Sequence, residues 1–108
     1  MKITINEKEI TLKYGYRPLM IYENITHKSF NPSGLTDLVY FFYACVLAAS
    51  IREGDTVKYE DFMDWLDENP DKVNEFSNWL IDTLNQQKDI SPEIDNKNKD
   101  NKGYIPKN

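Results

Sequence analysis

At 108 residues, 40 % apolar and 13 % aromatic, the chain has the size of one globular domain and too many aromatics for a disordered one. Its net charge of −5 is uneven, with a surplus of cations in residues 1–34 and a strong excess of acids in residues 53–82. That acidic middle disfavours nucleic acid as a partner, because phosphates are met by Lys and Arg. One cysteine, Cys45, excludes an intramolecular disulfide and fits a reducing compartment.

In chain order, Lys2-Ile3-Thr4-Ile5 and Ile10-Thr11-Leu12 alternate apolar and polar residues at the period of a strand. With Asn6-Glu7-Lys8-Glu9 as connector they predict a hairpin over residues 2–13, which needs helices to pack on. A short helix over about 16–25 follows, with Pro18 in its first turn. Asn31-Pro32-Ser33-Gly34 breaks the chain into a loop.

The second helix spans about 36–50, with Thr36 as its expected N-cap. It is apolar on all sides: Phe42, Cys45 and Val46 belong to one face, and Tyr40, Phe41, Tyr43 and Leu47 to the others. Such a helix is central to a core or partly covered by another protein. A third helix covers 60–68, with Phe62, Met63, Trp65 and Leu66 inward. Asn69-Pro70 is expected to cap and open a fourth helix over 70–87, whose inner stripe is Val73, Phe76, Trp79, Leu80 and Leu84. Residues 88–108 change composition and read as a flexible polar tail. The expected fold is α+β: one globular domain over 1–87, an N-terminal hairpin packed on a bundle of about four helices, mostly helical.

No apolar leader opens the chain, and the longest apolar run, Leu38 to Ala49, falls short of the ~20 residues that cross a bilayer. The expectation is a cytoplasmic protein without a membrane partner. Chemistry is hard to place. His27 is the only histidine and sits among polar residues. The four glycines are scattered, so no phosphate-binding loop forms, and no nucleophile elbow is present. Neither a catalytic set, a cofactor site nor a metal site is expected. Asp61, Asp64 and Glu68 share one helical face, with Asp67 and Asp71 nearby. They read as a solvated face, with a divalent-cation site or an acidic docking face as alternatives.

The most specific pattern is the opening Ile3-Thr4-Ile5-Asn6-Glu7-Lys8-Glu9-Ile10-Thr11-Leu12-Lys13-Tyr14-Gly15-Tyr16-Arg17, followed by Leu19 to Phe30 and, later, Tyr59-Glu60-Asp61-Phe62-Met63-Asp64-Trp65-Leu66-Asp67-Glu68-Asn69-Pro70. This order, over about residues 1–85, resembles the tail assembly chaperones of long, non-contractile-tailed bacteriophages and prophages, in their short form. The resemblance implies a non-enzymatic protein of the bacterial host cytoplasm. Such a protein binds the tape-measure protein, keeps it soluble during tail assembly, and has the tail-tube protein as a further partner. The candidate partner-binding residues are then Tyr40, Phe41, Tyr43, Leu47, Trp65 and Trp79. The charge asymmetry adds an expectation of head-to-tail self-association. The competing expectation is a general intracellular interaction module or regulatory adaptor with another partner.

Overall fold

The computed structural model describes residues 1–31 and 34–90, with side chains up to Gln86. Two strands, β1 (Lys2–Ile5) and β2 (Lys8–Thr11), precede four helices, α1 (Tyr16–Thr26), α2 (Leu35–Arg52), α3 (Tyr59–Glu68) and α4 (Lys72–Ile90). The fold is α+β and mostly helical, with the hairpin packed on helices. The chain divides into two compact units, Met1–Asn78 and Trp79 onward, with the division inside α4. The expected tail over 88–108 begins later than composition indicates, since α4 runs to Ile90; residues 91–108 lie outside the described residues.

In the antiparallel hairpin, Ile3 faces Ile10 and Ile5 faces Lys8. Period two therefore puts Ile3, Ile5, Ile10 and Leu12 on one face, and all four are buried. The connector is shorter than the four residues expected. Lys8 and Glu9 already pair with β1, leaving a two-residue turn with Asn6 at φ 53° and Glu7 at φ 67°. Positive φ at both positions is the type I′ geometry that matches strand twist. Asn tolerates it, but Glu7 pays a steric cost for its Cβ. Glu7→Gly should therefore raise stability by about 0.5–1 kcal/mol, read as a higher urea midpoint at unchanged slope.

α2 is the axis of the first unit. Phe41 and Phe42 are adjacent in sequence and point about 100° apart on a helix, yet both are fully buried. Apart from Phe76, which both rings meet, different neighbours cover them. Phe41 stacks on Phe30 (centroids 4.0 Å apart) and meets Tyr22 and Tyr14 edge-on. Phe42 lies flat against Phe76 of α4 (4.2 Å, 3° between planes) and edge-on to Phe62 of α3. All five phenylalanines thus join one aromatic core. Phe30 comes from the loop after α1, which period-based reading passes over. The Lys28–Asp37 ion pair (2.8 Å) ties the same loop to the first turn of α2.

By length and composition alone α2 is apolar enough to cross a membrane, with mean hydropathy 1.4 over 18 residues, a longer stretch than the Leu38–Ala49 run suggests. In the fold it is the core helix, with Phe41, Phe42, Ala44, Cys45 and Val46 inaccessible. Its N-cap is Gly34, not Thr36, and no side chain caps that end. Its other end closes in a Schellman motif: the Asp55 N–H donates to the Ser50 carbonyl (2.9 Å) and the Gly54 N–H to that of Ile51 (3.0 Å). Gly54 supplies the positive φ (83°) that this closure needs. Lys8 pairs with Asp55, so the hairpin tip is fastened to the same turn.

Asn69 also takes a different role from the one expected. Its side-chain amide donates to the Trp65 carbonyl (2.8 Å), closing the C-terminus of α3, while Pro70 and Asp71 form a turn before α4 begins at Lys72. An Asn that can satisfy the orphan carbonyls of a preceding helix is drawn away from N-capping the next. Phe76 and Leu80 are buried as expected of the α4 stripe, but Leu84 is exposed.

Candidate interaction surface

The residues expected to bind a partner separate once the chain is folded. Phe41 does not belong with them: it is fully buried in the aromatic core. Tyr40, Tyr43 and Leu47 follow one another at three- and four-residue spacing along α2 and are half-buried. Tyr59, the first residue of α3 and 37 % exposed, stacks on Tyr40 (5.9 Å) and meets Tyr43 edge-on (5.2 Å). The Tyr43 hydroxyl donates to the Val57 carbonyl (2.7 Å), fixing the ring and leaving its face as a wall. The result is a tyrosine ledge between α2 and α3, an apolar surface with a polar rim. Burial pushes the Tyr43 and Tyr59 phenols up, with Tyr59 adding to the shift of Tyr43 and Tyr40 to that of Tyr59.

Trp65 is half-buried on α3, stacked over Phe62 (6.1 Å) and edge-on to Phe42 (6.0 Å). Trp79 belongs to the second unit, where it is half-buried. Tyr59 is the member of the ledge that sequence reasoning missed. Its position just before the α3 periodic run was the available signal, but only the α2–α3 packing shows which rings it meets.

Asp61, Asp64 and Glu68 do lie along one side of α3, and with Asp67 and Asp71 they are exposed. Among the described residues none of the five is in an ion pair, and no three His, Cys, Asp or Glu side chains are grouped to hold a metal. Glu60 and Asp61 in the first turn of α3 complement its dipole. His27 serves the backbone: it sits in the left-handed region (φ 60°) and its N–H donates to the Glu23 carbonyl (2.7 Å), closing α1.

A second feature was not legible in the sequence. An open groove of about 600 Å³ lies where the end of β2, the start of α1 and the end of α2 meet. Lys13, Arg17 and Arg52 line it and are exposed, against a single acid, Glu53. Among the described residues none of these cations is in an ion pair. The cation surplus of residues 1–34 was the only sequence signal, and it does not reveal that Arg52, 35 positions after Arg17, joins the cluster.

No family model matches the chain, and neither a curated protein nor a solved structure matches it.

Proposed function

We propose that the chain is a non-enzymatic tail assembly chaperone of a bacteriophage or prophage, acting in the host cytoplasm by holding the tape-measure protein soluble. The order of residues in the hairpin and in α3 supports this reading, and the observation that carries it is the tyrosine ledge. A tape-measure chain presents long apolar-striped helices, and their chaperone needs an uncharged, preformed surface to receive them. Tyr40, Tyr43, Leu47 and Tyr59 supply such a surface: their rings are held by one another and by the Tyr43–Val57 hydrogen bond, and rigid rings lose little side-chain entropy on binding.

The test is co-expression with a tape-measure protein, which on this reading is encoded beside this chain. The partner should stay in the soluble fraction and co-purify. Tyr40→Glu with Leu47→Glu, which places two charges on half-buried ledge positions, should return it to the pellet while this chain keeps its circular dichroism. A partner equally insoluble with and without the chaperone would sink the proposal.

A further inference from the structure

The groove at the end of the hairpin is separate from the ledge and independent of the chaperone reading. It gathers Lys13, Arg17 and Arg52 around one open space in a chain whose net charge is −5. Its walls are not polar throughout. Its lining includes the largely buried Pro18 and Ala48, the half-buried Ala49 and Tyr14, and the exposed Tyr16. Tyr16 is 86 % exposed, and Met20, one turn along α1, is 63 % exposed. Large apolar side chains therefore stand in water beside a cluster of cations. A volume of about 600 Å³ falls in the range of ligand clefts.

We infer that this groove is a binding site for an acidic peptide segment of a partner protein, one in which apolar side chains alternate with carboxylates. Carboxylates meet the guanidinium groups of Arg17 and Arg52, which offer paired donors, and the ammonium of Lys13. Apolar side chains cover the exposed Tyr16 and the half-buried Tyr14 and Ala49. A free phosphate would satisfy the cations and leave the apolar walls wet.

Gly15 provides a test that leaves every charge in place. It lines the groove, its backbone is extended (φ 167°), and a Cβ built there meets nothing within 4 Å. Gly15→Trp therefore adds an indole at the groove's lining at a position where a side chain meets no steric barrier at its Cβ. The probe is a fluorescein-labelled decapeptide alternating Glu or Asp with Leu and Phe, titrated with the full chain and followed by anisotropy; the same peptide with Lys for each acid is the control. The acidic peptide should bind saturably, more weakly as sodium chloride is raised, and the Lys peptide should not bind. Arg17→Glu with Arg52→Glu should weaken binding by about tenfold or more, whereas Lys58→Glu, a charge reversal outside the groove, should change it by less than about twofold. Gly15→Trp should abolish binding, and it decides the question if the double reversal fails to fold. Undiminished binding to Gly15→Trp would overturn the site. So would equal losses in Lys58→Glu and the arginine variant, absence of saturable binding, or displacement of the peptide by millimolar inorganic phosphate as complete as by unlabelled peptide. Failure of tape-measure solubilisation leaves this titration unaffected, so the two proposals fall separately.

Discussion

Phe42→Ala should cost the chain a large part of its stability and shift its urea midpoint far downward. Phe42 is fully buried and lies at the meeting of three helices: flat on Phe76 of α4, edge-on to Phe62 and Trp65 of α3, and rooted in α2. Truncating a buried phenylalanine costs about 3–5 kcal/mol, as lost transfer energy plus the cavity left behind. The cavity here is bounded by rings held by one another, so it cannot collapse cheaply. Domains of this size hold only about 5–15 kcal/mol in total, so one such loss reaches the margin. Phe42→Leu, which refills most of the volume, should retain a cooperative transition at a lower midpoint. Denaturation followed by circular dichroism checks both. A Phe42→Ala midpoint within error of the parent would show that the α2–α3–α4 aromatic contact does not hold the unit together.

Alkaline pH should destabilise the fold well before any arginine titrates. Cys45 lies in α2 with no accessible surface, and burial drives its thiol far above the ordinary range. Below about pH 8.5 folded and unfolded chains both keep the thiol proton, and the stabilisation is complete. Above it the unfolded chain releases a proton that the folded chain retains. Stability then falls by about 1.4 kcal/mol per pH unit, and the loss continues until the folded thiol itself ionises. Burial also raises Tyr22, helped by the nearby Asp37 charge, and Tyr43, so near pH 10 and above these phenols push in the same direction. Cys45→Ala should flatten the slope between about pH 8.5 and 10 while leaving the tyrosine-driven fall above it. Urea midpoints across this range measure the effect. A thiol-reactive disulfide reagent gives an independent reading, since Cys45 should react only as fast as the chain opens. Parallel slopes for the parent and Cys45→Ala would refute the assignment.

Much of the local structure was readable because its causes are local. The β1–β2 alternation and the Phe62–Leu66 and Phe76–Leu80 spacings each act within a few residues of themselves. The hairpin faces, the helix count and the exposed acidic side of α3 followed from them. The ledge was half legible. Tyr40, Tyr43 and Leu47 were picked out because α2 is apolar all round, but the same property made Phe41 an equal candidate. A helix with no polar side carries no sign of which apolar side is covered.

The chain's own pattern thus determined which segments are strands and helices, and that residues 53–82 carry an acidic surface. Tertiary structure decided the rest, because each remaining choice depends on a neighbour distant in sequence. Phe30 entered the core because Phe41 and Tyr22 offered ring faces to it. Tyr59 became part of a surface because α3 packs against α2. Lys13, Arg17 and Arg52 became one cationic groove only when the hairpin and α1 folded against the far end of α2. Periodicity specifies which side of an element is apolar; packing alone specifies what meets it, and here that distinction separates core from binding surface.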